Sequence, residues 1–271
     1  NIERGKGRVD PISDPSGEGL TKIVEGLKRA WRLDVEIEVE ISDEPFVLGK
    51  TVHKHEGYRI YLSEAEPYPL LHEFYHVLFE EKVMKRHIGS ACDFCAKITL
   101  EMINVLADLG IERIIFRTGP EIFPAYFPTI KENLDKIARC GVLSFDPTRT
   151  VAYNLYIETA IRELYPDLRE DYDFWSRIEL SEEMRAGVES ALEIAGEFMR
   201  ENSTTWSEMA RVAVDLSWLI FGADVMVIES KEEFRIVCNT DHIEGKRKVS
   251  EMIDRLKVLS QDWRRLGDRG E

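Results

Sequence analysis

A chain of 271 residues is too long for one small core and predicts one large domain or two modest ones. Hydrophobic residues make up 44% of it, which excludes wholesale disorder, and no apolar run is long enough to span a bilayer as a helix. A net charge of −15 repels phosphate backbones and anionic lipid, so neither nucleic acid nor a membrane is an expected partner.

Charged residues account for 32% of the chain and Gln261 is its one glutamine, a composition like that of hyperthermophile proteins. The opening NIERGKGRVD has no apolar signal-peptide core, so a cytoplasmic location is expected.

GEGLTKIVEGLKRAWRL, from Gly17, carries Leu20, Ile23, Val24, Leu27, Ala30 and Trp31 at helical spacing. DVEIEVEIS then alternates, with Val35, Ile37, Val39 and Ile41 on one side and acids on the other, as a half-buried strand does. FVLGK and GYRIYLSE are two further expected strands, with HKHEG as their connection. His53 and His55 read there as a solvated hairpin tip.

A helix is expected from Pro67 to about Arg86. A short break at HIGS follows, and then a long helix from about Ala91 to Phe116. TGPEIFPAYFPT reads as a proline- and aromatic-rich loop. Later helices are expected at KENLDKIARC, TVAYNLYIETAIREL, SEEMRAGVESALEIAGEFMREN and SEMARVAVDLSWLIFG. DVMVIES and EFRIVCNT read as a late hairpin, and HIEGKRKVSEMIDRLKVLSQDWRRL as a closing helix.

Two patterns carry chemistry. The first is HEFYH, in which His72 and His76 stand one helical turn apart, so both imidazoles reach one zinc ion. Glu73 then lies beside the metal's water and can take its proton and pass it to a leaving amine. Leu71, Phe74 and Leu78 form an apolar face to anchor this helix. A third ligand is expected from the next helix, where Glu101, Asn104, Asp108 and Glu112 share one face. If the two helices pack antiparallel about a centre near residue 88, Glu101 comes level with His76. A centre nearer 92 brings Asp108 level with His76 and Glu112 level with His72.

The second pattern is the CxxC of Cys92 and Cys95. A structural zinc site wants a second close pair, and Cys140 and Cys238 are far apart in sequence. Buried thiols, or a disulfide, are therefore expected.

HEFYH followed by NVLADLGIE resembles the zincin metallopeptidases, in the gluzincin-like arrangement. It is most similar to a group with HExxH and then a helix reading N-x-x-x-D-x-x-[IV]-[EN], here Asn104, Asp108, Ile111 and Glu112. The resemblance covers roughly residues 17 to 117. It departs from the gluzincin Glu-x-x-x-Asp pattern, because Asn104 stands where the ligand glutamate would be.

The resemblance implies an α+β fold. A zincin-like core of helix, small sheet, HExxH helix and ligand helix would occupy residues 1–140, and a mostly helical extension with a late hairpin residues 141–271. It implies Zn(2+) held by His72, His76 and Asp108, Glu73 as the general base, and Glu112 or Asn104 supporting the ligands. A peptide or protein is the implied substrate. The alternative function is a metal-binding zincin-fold regulatory protein without peptidase activity. Tyr153 and Tyr156 are further positions for an oxyanion donor.

Overall fold

The computed structural model describes residues 17–42, 49–63, 67–83, 87–90, 92–122, 147–166, 178–201, 205–229 and 233–238, with short pieces elsewhere. The chain is mixed α and β and mostly helical, and it divides into two compact units. The first unit holds residues 1–85 and 110–133, the second residues 86–109 and 134–271. The boundary expected near residue 141 lies outside the described residues, as do Cys140, the KENLDKIARC segment and most of the closing helix.

The first unit opens with α1 (Gly17–Trp31). Leu20, Ile23, Val24, Leu27 and Trp31 are buried, as their spacing requires. Strands β1 (Glu36–Ile41), β2 (Gly49–Lys54) and β3 (Gly57–Leu62) form a sheet in the order β1-β3-β2. β3 runs parallel to β1 and antiparallel to β2.

The β2–β3 connection is tighter than HKHEG suggests. Lys54 pairs with Gly57, so only His55 and Glu56 form the loop, and His53 is a strand residue. Gly57 is required at its position. Its φ is +148°, and a Cβ there would stand 2.3 Å from the carbonyl oxygen of Glu36 on β1.

Alternation sets the sheet's inner face. Tyr58, Ile60 and Leu62 of β3 are buried, and their partners on β2 are His53, Thr51 and Gly49. Helix α2 (Pro67–Lys82) lies along this face. Thr51 meets Glu73 and His53 meets Glu80, so helix and strand run the same way. Tyr58 donates to Glu81 at 2.9 Å.

The second unit begins with a feature the sequence reading treats as a break. HIGS is a strand, β4 (His87–Ser90), paired in parallel with β6 (Glu233–Cys238). The hairpin of β5 (Val225–Glu229) with β6 forms as expected, giving a second sheet in the order β4-β6-β5. Helix α3 (Asp93–Ile122) is longer than expected and takes in TGPEI, the start of the expected loop. Its first part belongs to the second unit and its last part to the first.

Among the described residues, the helices α4 (Pro147–Leu164), α5 (Glu182–Arg200) and α6 (Trp206–Phe221) follow. Ser181 caps α5, accepting from the N–H of Met184. Thr205 and Glu208 form a capping box at α6, and Gly222 ends it in the left-handed region at φ 61°. α5 and α6 pack closely because Gly187 has no side chain: a Cβ there would stand 2.5 Å from the Leu219 carbonyl oxygen. No helix among the described residues is long and apolar enough to cross a membrane.

Candidate metal centre

Helix α2 is apolar around most of its girth. Leu70, Leu71, Phe74, Tyr75, Val77, Leu78 and Phe79 are all buried. Such a helix sits in the interior of its unit, and its packing fixes its rotation. His72 and His76 share the remaining stripe and are half-buried. Their Nε2 atoms lie 3.2 Å apart, with the ring planes at 67°. Two nitrogens held tetrahedrally at about 2.0–2.1 Å from one zinc ion stand about 3.3–3.4 Å apart. The separation of the pair is therefore close to that of two ligands of one ion. The Glu73 carboxylate joins them in a group whose ligand atoms all lie within 4.8 Å of one another.

Glu112, on the last part of α3, decides which nitrogen of His72 carries the proton and which faces His76. Its side chain is 0% exposed. A carboxylate so placed needs donors around it, because burial without them costs several kcal/mol. Tyr68 supplies one, its hydroxyl donating to Glu112 Oε1 at 2.5 Å. The second is His72, whose Nδ1 lies 3.2 Å from the same oxygen. With the proton on Nδ1, the lone pair of His72 is on Nε2, facing His76. This carboxylate–histidine arrangement is the one that orients ligand imidazoles in metal sites. α3 approaches α2 this closely because residue 110 is glycine: a Cβ there would stand 2.8 Å from the Phe79 ring.

Glu73 is 8% exposed and is held from the sheet. The Thr51 hydroxyl lies 2.7 Å from its Oε2 and 3.1 Å from its main-chain carbonyl oxygen. One hydroxyl proton serves one acceptor, and the shorter contact to the carboxylate takes it. Two residues back along β2, Gly49 leaves room for the same side chain: a Cβ there would stand 2.8 Å from Glu73 Cγ and 3.2 Å from its Oε1. Positions 49 and 51 alternate onto the inner face, so one strand both clears space for Glu73 and orients it.

The structure brings together His72, Glu73, His76 and Glu112, the register expected for helices centred nearer residue 92. Asp108 is half-buried on α3, one turn before Glu112, in the part of that helix belonging to the second unit. Glu101 lies 3.6 Å from Arg149 of α4, and Asn104 is exposed. His53 and His55 are exposed, and His53 stacks on Tyr58 with ring centroids 4.8 Å apart. Tyr153 and Tyr156 pack edge to face on α4 in the second unit.

Thr51, Gly49 and Tyr68 escape the sequence reading. The signal for Thr51 was present: it is two residues from Gly49 on a strand opposite Ile60. Ending the expected strand at Lys50 hid it. Comparison of the chain with protein families, with characterised proteins and with solved structures finds no match.

Proposed function

We propose that this protein is a zinc-dependent metallopeptidase of the gluzincin-like zincin type, working in the cytoplasm on a peptide or protein substrate. The observation that carries the reading is the chain of contacts Tyr68–Glu112–His72–His76. A fully buried carboxylate fixes the tautomer of one imidazole so that its lone pair meets a second imidazole at ligand spacing. A hydrogen-bonded histidine pair alone would not call for a carboxylate base beside it, yet Glu73 is there, oriented by Thr51.

His72 and His76 would hold the ion, with Asp108 as the third ligand that the family resemblance favours. The zinc supplies Lewis acidity toward a scissile carbonyl and acidifies water. The chain's own residues do the rest. Glu73 accepts a proton on the carboxylate oxygen not engaged by Thr51 and returns it to the departing amine. Thr51 keeps that carboxylate from swinging away. Glu112 keeps His72 in one tautomer, and Tyr68 keeps Glu112 in place. Among the described residues β2 pairs only with β3, so its outer edge offers backbone groups to an extended peptide beside Glu73.

The test is hydrolysis of a broad peptide library by wild type and Glu73→Gln, together with metal analysis of wild type and His72→Ala/His76→Ala. Cleavage that needs both Glu73 and the histidine-bound metal supports the reading. Metal lost with the two histidines but no cleavage of any peptide leaves a metal-binding protein and ends the peptidase assignment. Metal content unchanged by the double substitution ends the metal assignment.

A further inference from the structure

The second unit gathers three thiols that the sequence scatters. Cys92 follows β4, Cys95 stands one turn further on in α3, and Cys238 is the last residue of β6. The parallel pairing of β4 with β6 explains the meeting. Ser90 is opposite Ile236, so Cys92 and Cys238 each lie two residues beyond the same rung, at the same end of the sheet. Cys95 is three residues beyond Cys92 and returns to it along the first turn of the helix. The three sulfurs lie within 4.8 Å of one another. Cys95 is buried, Cys92 and Cys238 are half-buried, and none of the three is in a disulfide.

We propose that Cys92, Cys95 and Cys238 form a second metal site for a soft divalent cation, zinc being the ion of that class it would take. Zinc thiolate bonds of about 2.3 Å set sulfur atoms about 3.7–3.8 Å apart in a tetrahedron, so a small contraction of the cluster completes the geometry. The Cys95 N–H donates to Cys92 Sγ at 3.5 Å, the kind of backbone contact that supports a thiolate at a helix start. A disulfide would use two of the three sulfurs and strand the third in a partly buried place. A metal uses all three. Binding would release the thiol protons and leave a fourth position to water. The ion would tie the ends of β4 and β6 to the first turn of α3.

The site is independent of the histidine centre, and the experiment keeps them apart. Full-length His72→Ala/His76→Ala is purified without oxygen in the presence of reductant and titrated with Co(II). The expected result is about one equivalent bound, with thiolate-to-cobalt charge-transfer absorption that zinc bleaches. On the same background Cys238→Ser weakens that absorption by about a third, one ligand in three, and lowers affinity at least about tenfold. Failure of the peptidase reading leaves these signals untouched. Absence of the charge-transfer band from the histidine-free protein overturns the proposal. So does a Cys92–Cys95 disulfide found by mass spectrometry under the same conditions, or a band unchanged in Cys238→Ser. Where a serine variant does not fold, as circular dichroism reports, the band in the protein with all its cysteines decides alone.

Discussion

Oε1 of Glu112 lies 3.2 Å from Nδ1 of His72, forty residues earlier in the chain, and takes the Tyr68 hydroxyl as well. Glu112→Gln keeps the shape and an acceptor oxygen but loses the charge. It is expected to lower zinc affinity at the histidine centre about 10–100-fold. Chelator competition measures this, on a Cys92→Ser/Cys95→Ser background so that one site is read. Tyr68→Phe, which removes one donor and no ligand partner, is expected to cost less. Equal affinity in Glu112→Gln and wild type would remove the orienting role.

Glu73 and Thr51 separate base from aim. Glu73→Gln is expected to retain zinc and lower the hydrolysis rate by about 10²–10⁴, since glutamine has the shape without the basicity. Thr51→Val leaves the base and removes the 2.7 Å contact that holds it. A hydrogen bond to a charged group is worth about 1.5–3 kcal/mol, so a loss of roughly tenfold or more in kcat with little change in KM is expected. Steady-state kinetics on one cleaved peptide check both. A Glu73→Gln protein as fast as wild type would show that another group takes the proton.

Gly49 tests the same side chain by crowding it. The atom a new Cβ would meet at 2.8 Å is Glu73 Cγ, near the root of the side chain, with Leu62 Cδ2 at 3.2 Å behind it. Cγ is not the free end of the glutamate, so the Glu73 side chain or the strand must shift to admit it. Gly49→Ala is expected to lower stability by about 1–3 kcal/mol and to reduce kcat while zinc stays bound. Thermal unfolding and metal content measure the two. A variant as stable and as active as wild type would mean the strand yields freely at this point.

The histidine pair was legible because it is local: five residues on a helix whose apolar neighbours mark its buried faces. α5, α6 and the β5–β6 hairpin were legible for the same reason, each written in a period of 3.6 or 2 with its own capping or turn residues. What escaped depends on distance along the chain. HIGS has four residues and no period to read, and it is a strand only because β6 arrives beside it. That single parallel pairing also joins Cys238 to the CxxC, which the spacing rule for zinc sites could not foresee. Thr51 was lost to a strand end misplaced by four residues. Glu112 was visible as part of a polar stripe, but which member of the stripe meets His72 depends on where the helices are centred.

The third ligand is the remaining test. Asp108 and Glu112 are one turn apart on α3 and therefore share a face. Glu112 is already engaged with His72 Nδ1 and Tyr68, on the side of that imidazole away from His76. A carboxylate so engaged orients a ligand and is badly aimed to be one. Glu101, two turns before Asp108, has Arg149 3.6 Å from its carboxylate, and binding metal there would give up that cation. Asn104 offers only an amide, a poor zinc ligand. The family resemblance favours Asp108, so Asp108→Ala is expected to lower zinc affinity at the histidine centre far more than Glu101→Ala. It should also exceed the roughly 10–100-fold expected of Glu112→Gln, because a ligand is lost and not merely its support. Metal titrations of the three variants, each on the Cys92→Ser/Cys95→Ser background, rank them. Zinc stripped by Glu101→Ala and kept by Asp108→Ala would move the assignment two helical turns along α3 and leave the roles of His72, His76 and Glu73 unchanged.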